Sequence, residues 1–260
     1  MTLLPGAEPY THRGSADTGV LLCHGFTGTP QSLRPWAEHL AAAGHTVSLP
    51  LLPGHGTRWQ DLQYTRWQDW YAAVDRELHA LAARCAEVYV CGLSMGGALA
   101  LRLAARHAEL VKGVAVVNPV VGMARGQRVL LPVARHLVPS TKGIVSDIAK
   151  PGTAESGYTR VPLHAAHSLA RLVRVVYREL PGVTQPLLLM TSRNDHVVPP
   201  ANSGLVRRLV SSADLTAIVL EQSYHVATLD HDAERIFQET DAFISRITRM
   251  ATRKTLRDGA

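Results

Sequence analysis

This sequence predicts an α/β fold: a mostly parallel sheet with helices on both faces and an inserted helical cap. Three observations carry that expectation. Short apolar strand-like runs alternate with longer helix-like ones, the alternation breaks only between Pro119 and Pro181, and one strand-like run enters a helix through a Gly-X-Ser-X-Gly turn. At 260 residues the chain suits one large α/β domain. Its 46% hydrophobic and 18% charged residues set it apart from disordered and fibrous chains.

The first strand is read over Gly19 to His24, followed by a helix from Pro30 to about Ala43 and a strand from about His45 to Pro50. Thr65-Arg66-Trp67-Gln68 has the form of a capping box, Thr65 as cap and Gln68 reaching back, and opens a helix to about Arg84. Val88 to Cys91 forms the next strand, and Ala98 to Arg106 the helix after it. Leu110 to Asn118 and Pro186 to Ser192 are strands, a helix follows Pro200, Leu215 to Leu220 is a strand, and a last helix runs from about Asp232 to Arg249. Between Pro119 and Pro181, helical pieces at Gln127 to Val138 and Leu163 to Leu180 flank a Gly-punctuated stretch. Residues 1–118 and 182–250 are thus expected to form the core, 119–181 a cap above the carboxyl ends of the strands, and 251–260 a flexible solvated tail.

The turn Gly92-Leu93-Ser94-Met95-Gly96 makes Ser94 the candidate nucleophile, since small flanking residues let a strand-to-helix turn hold a hydroxyl exposed. An activated serine needs a base and a carboxylate that orients it, and on such a sheet they follow in the order Ser, acid, His. Asp195 and His225 each come just after a strand, which places them on the same sheet edge as Ser94. Alone, Asp195 reads equally as an Asx-turn residue and His225 as a packed loop histidine; the chain order joins them to Ser94. The oxyanion of an acyl-transfer intermediate needs two N–H donors, for which Met95 and Phe26 are the candidates. The Phe26 side chain is expected to be incidental.

A formal charge of +6 is spread along the chain rather than gathered in a stripe, which argues against nucleic acid. Cys23, Cys85 and Cys91 lack metal-ligand spacing and read as buried reduced thiols. No run is long enough for a membrane span and the first residues lack a leader pattern, so a cytoplasmic compartment is expected.

In Gly25-Phe26-Thr27-Gly28-Thr29, Gly54-His55-Gly56-Thr57, Gly92 to Leu99, Asp195 to Pro200 and Ser223 to Asp230, the chain resembles the bacterial monoacylglycerol lipases and small bacterial carboxylesterases of the α/β-hydrolase superfamily. The resemblance covers most of the chain. It implies the same triad and oxyanion donors, no metal or organic cofactor, and a small-molecule ester as substrate. Gly143 to Ile148, Glu155 and Tyr158 resemble the family's alcohol pocket, where a glutamate accepts a hydrogen bond from a glycerol hydroxyl; Glu155 takes that place, or is a solvated cap residue. A general carboxylesterase or thioesterase, a peptidase and an acyl transferase share this fold, as would a non-catalytic binding module. His55 is expected to shape its loop, and His24 at most to line the site. In the cap, Val129 to Val133, with Arg125, Arg128 and Arg135 nearby, either pack on the core, the favoured reading, or rest on lipid aggregates or a membrane surface.

Overall fold

In the computed structural model, residues 2–144 and 146–258 are described, apart from the side chains of Arg125, Gln127, Arg128, Val129 and residues 251–258. The strands are β1 (Tyr10–His12), β2 (Thr18–Cys23), β3 (Thr46–Leu49), β4 (Glu87–Leu93), β5 (Val111–Val117), β6 (Ser140–Lys142), β7 (Arg160–Pro162), β8 (Leu187–Ser192) and β9 (Leu215–Leu220). The helices are α1 (Arg34–Ala42), α2 (Trp59–Leu62), α3 (Trp67–Ala82), α4 (Met95–Arg106), α5 (Arg125–Leu137), α6 (Leu163–Glu179), α7 (Ala201–Leu209) and α8 (Ala233–Asp258).

Seven strands form one sheet in the order β1-β3-β2-β4-β5-β8-β9, parallel throughout except for β1, which runs antiparallel to β3 at the edge. The central strands are buried on both faces, which is why they read as unbroken apolar runs. The two-residue period of a strand divides them between two cores. Along β4, Val88 and Val90 pack with Trp70, Leu78 and Leu99 on one face, while Tyr89, Cys91 and Leu93 pack with Trp36, Leu40 and Phe237 on the other.

The insertion between β5 and β8 has two characters. Helix α6 buries Leu172, Val173 and Val176 in the first core, and its Ser168 hydroxyl accepts the Trp67 N–H at the start of α3 (2.8 Å). Helix α5 instead leaves Leu130 and Val133 exposed, with Leu131 half-buried, so the favoured expectation that this stretch packs on the core fails for those two residues. Val129, Arg125 and Arg128, whose side chains belonged to that expectation, lie outside the described ones, as do Val145, Gly259 and Ala260. Strands β6 and β7 pair antiparallel and were not foreseen.

Two local readings change. The capping box sits one residue later than expected: Asp69 accepts the Arg66 N–H at 2.7 Å, while the Thr65 hydroxyl donates to Leu62 O and accepts from the Trp70 indole. Helix α8 continues past Arg249 to Asp258.

Candidate active site

Every parallel strand ends at one sheet edge, and the predicted site residues gather there. Ser94 joins β4 to α4 with φ 58° and ψ −117°, a strained conformation for a residue with a Cβ. Its N–H donates to Val117 O on β5, and its carbonyl accepts from Ala98 and Val120, so neighbouring elements hold the turn. The flanking glycines are sterically required. A Cβ on Gly96 would lie 1.8 Å from Cys23 O, and one on Gly92 would lie 2.3 Å from Gly96 O.

Asp195 follows β8 and His225 follows β9. His225 Nδ1 stands 2.7 Å from Asp195 Oδ2, and the Asp195 side chain is almost wholly buried. The other carboxylate oxygen accepts the N–H groups of Val197 (2.8 Å) and Val198 (2.7 Å), which fixes its plane toward the imidazole. The turn reading and the pairing with His225 are therefore both realised in Asp195.

Ser94, His225, Phe26 and Glu155 line one cavity of about 920 Å³, walled by apolar residues that include Met123, Leu169, Val198 and Leu205. Met95 is buried as the first residue of α4, where N–H groups lack intrahelical acceptors and the helix dipole is positive. Phe26 precedes Thr27, whose φ of 64° turns the loop. The Phe26 ring is not incidental: it packs against His55 (6.3 Å between centroids) and Trp70 (5.7 Å) and so anchors the loop.

His24 is fully buried and does not line the cavity. Its Nε2 accepts the Leu52 N–H at 3.1 Å, which leaves Nδ1 to donate to Gly25 O at 2.9 Å. Burial lowers its pKa to about 4. His55 shapes its loop as expected, through Nδ1 and Pro53 O at 3.1 Å, and burial together with His24 lowers its pKa to about 3.

Glu155 is half-buried against the oxyanion loop; a Cβ on Gly28 would lie 2.6 Å from its Oε1. Burial raises its pKa to about 7, against the opposing pull of the His225 charge and a hydrogen bond with Ser32. The segment around it is fastened to that loop: Gln31 Oε1 accepts the Ser156 N–H (2.9 Å), Ser156 O accepts the Thr29 hydroxyl (3.0 Å), and Thr27 O accepts the Tyr158 N–H (3.0 Å). The Tyr158 hydroxyl donates to Gly54 O (2.8 Å) and accepts the Thr57 N–H (3.0 Å), which ties the cap tyrosine to that glycine-rich loop.

Three polar residues around the histidine were given no role of their own by the sequence. Asn118 bonds the His225 carbonyl, Asp147 accepts the His225 N–H, and Asp230 accepts four N–H groups, from Ala149, Lys150, Tyr224 and His231. Asn118 could have been suspected as a polar residue closing an apolar strand. Asp147 falls inside the Gly143 to Ile148 stretch set against the alcohol pocket, but nothing local marks it as a partner of His225.

No cluster of His, Cys, Asp or Glu suited to a metal occurs among the described residues. The constellation of a strained serine, a histidine–carboxylate pair and helix N-terminal N–H groups around an apolar cavity suits acyl transfer through a serine nucleophile.

Comparison with known proteins agrees. The chain belongs to the Hydrolase_4 family, described as serine aminopeptidase S33, whose pattern matches residues 14–232. It is 39% identical to the thermostable monoacylglycerol lipase of Bacillus sp. (strain H-257) over 94% of this chain and 96% of that protein. A carboxylesterase of Bacillus subtilis (strain 168) is 24% identical over 92% and 97%. Among solved structures, one from work on LipS and LipT, two metagenome-derived lipolytic enzymes, superposes with a TM-score of 0.91 at 40% identity, covering 94% of this chain and all of that one. A soluble variant of the Saccharomyces cerevisiae monoglyceride lipase shares the fold, with a TM-score of 0.75 at 17% identity over 92% and 90% of the two chains.

Proposed function

We propose that this chain is a carboxylic-ester hydrolase that prefers monoacylglycerols, with Ser94 as nucleophile, His225 as base and Asp195 as the acid that orients it. The 2.7 Å contact between His225 and Asp195, at a cavity that also holds the strained Ser94, carries the reading. Ser94 Oγ attacks the ester carbonyl as its proton passes to His225, and the oxyanion rests on the N–H groups of Phe26 and Met95. His225 then gives that proton to the departing alcohol, which leaves an acyl-serine. Water loses a proton to His225, attacks the acyl carbon and releases the carboxylic acid as Ser94 recovers its proton. Asp195 remains ionised and holds the imidazole by Nδ1.

The alcohol end is assigned to Glu155. Its carboxylate accepts hydrogen bonds from glycerol hydroxyls, while the apolar wall takes the acyl chain. The test is kcat/KM for monoacylglycerols and matched alkyl esters in the parent, Ser94→Ala and Glu155→Ala proteins. Ser94→Ala abolishes both activities, and Glu155→Ala removes the preference for glycerol esters selectively. A parent that favours simple esters, with Glu155→Ala neutral, makes this a general carboxylesterase.

Residues 119–181 serve as the cap, and α5 as its contact with lipid. Leu130, Val133 and Leu137 are 67%, 64% and 77% exposed and recur at helical spacing on one face. Arg135 turns from that face toward α6, its guanidinium 3.0 Å from His167 Nδ1, and neither it nor Arg171 and Arg174 on α6 takes a carboxylate partner among the described ion pairs. No helix of the described residues is long and apolar enough to cross a membrane, so this contact is interfacial. Leu130→Asp with Val133→Asp weakens partitioning onto anionic vesicles; unchanged partitioning removes the surface role. Three free, buried thiols suit the cytoplasm.

A further inference from the structure

Between the two loops that frame the cavity runs one stretch of the cap, residues 146–158. At its far end it is hydrogen-bonded to the oxyanion loop through Ser156 and Tyr158. At its near end stands Asp147, whose side chain is only 10% exposed. One carboxylate oxygen accepts the backbone N–H of His225 (3.1 Å) and of His196 (3.2 Å), the residue after Asp195. The other lies 2.8 Å from Nδ1 of the His196 ring, and the Asp147 carbonyl accepts the Val226 N–H at 3.0 Å.

The backbone is shaped to deliver that carboxylate. Ser146 has φ 55°, and Ile148 N–H closes a three-residue turn onto Ser146 O at 2.8 Å, with Asp147 at its apex. The Ser146 hydroxyl accepts the Glu155 N–H (2.8 Å), so the same turn also fixes the residue assigned to the alcohol. Asp230, from the histidine loop, returns the contact by accepting the N–H groups of Ala149 and Lys150.

We propose that Asp147 is a positioning residue for the reaction: by holding the backbone of His225 and of His196 on one carboxylate, it sets how the base meets Asp195 and registers the cap against both. The inference rests on the triad reading above. One consequence follows for cap movement. The segment 146–158 is tied to the histidine loop and to the oxyanion loop, so opening confined to α5 and its flanks leaves the triad assembled, whereas displacement of Asp147 disassembles it.

The experiment compares Asp147→Ala and Asp147→Asn with the parent, each normalised by fluorophosphonate titration of active serines. Glu221→Gln serves as control, because it breaks an exposed ion pair with Arg193 (2.5 Å) that links the loop bearing Asp195 to the loop bearing His225 away from the cavity. Asp147→Ala is expected to lower kcat per titrated site about 10- to 100-fold with KM nearly unchanged, because a misplaced base slows chemistry without emptying the pocket. Asp147→Asn, which keeps one acceptor oxygen, recovers part of the loss, and Glu221→Gln leaves kcat as it was. Unchanged kcat per titrated site in Asp147→Ala overturns the inference. If that variant does not fold, unchanged kcat in the near-isosteric Asp147→Asn does so instead. Failure of the triad reading looks different: hydrolysis would persist in Ser94→Ala, whatever Asp147 does.

Discussion

Asn118 donates from its side-chain amide to the backbone carbonyl of His225 at 2.8 Å, and thereby joins the end of β5 to the loop after β9 across the intervening β8. The same amide nitrogen donates to the Ser192 hydroxyl (2.9 Å), and its carbonyl oxygen accepts the Ser192 N–H (2.7 Å). With φ 47°, the position suits asparagine better than most side chains. Asn118→Ala strands the His225 carbonyl and the Ser192 N–H and adds backbone strain, so a loss of about 2–4 kcal/mol is expected in urea unfolding. A loss below about 0.5 kcal/mol would place this residue among ordinary surface positions.

Glu155 predicts a pH effect of definite sign. Its folded pKa of about 7 lies above the ordinary carboxylate value of 4.5, so the folded chain holds a proton that the unfolded chain releases. That contribution is complete below about pH 4.5 and is lost as pH rises through about 7. Glu155→Gln removes it. The difference in unfolding free energy between the two proteins should therefore change across that window and be flat above it.

His24 acts in the opposite direction. Burial lowers its pKa to about 4 from 6.5, so the unfolded state binds the extra proton and stability is lost as pH falls from 6.5 toward 4. The contribution is about 3 kcal/mol at most. Acid titration of stability in His24→Asn should show a shallower fall over that range. An identical pH slope in parent and variant would mean that His24 protonates without consequence.

The turn that bears Ser94 tolerates no added carbon. Gly96→Ala brings a methyl group to 1.8 Å from the backbone oxygen of Cys23, and because Cβ is fixed by the backbone no rotamer change relieves the clash. Little folded protein is expected, and what folds should be destabilised by more than about 4 kcal/mol. Thermal unfolding by circular dichroism reads this directly; a melting temperature near that of the parent would show that the elbow can open.

Much of this was legible in the chain because it is local. Buried parallel strands advertise themselves as continuous apolar runs, and an elbow needs small residues at fixed offsets, so Ser94, Asp195 and His225 could be placed at one edge from their order alone. The rest depends on contacts between segments far apart. Asp147 reaches His225 across 78 positions and Asn118 across 107, and neither leaves a periodic trace in its own neighbourhood. The exposure of Leu130 and Val133 was misjudged because an apolar helix face looks the same whether it meets a core or remains uncovered. The Asp69 cap was displaced by one residue because Thr65 has a competing bond to Leu62 O.

The most direct test of the account is covalent labelling by a fluorophosphonate, read by intact mass and peptide mapping and set beside ester hydrolysis. A single adduct on Ser94 is expected, lost together with hydrolysis in Ser94→Ala, with labelling slowed by about 10³-fold or more in His225→Ala. An adduct elsewhere, or hydrolysis that survives in Ser94→Ala, would contradict it.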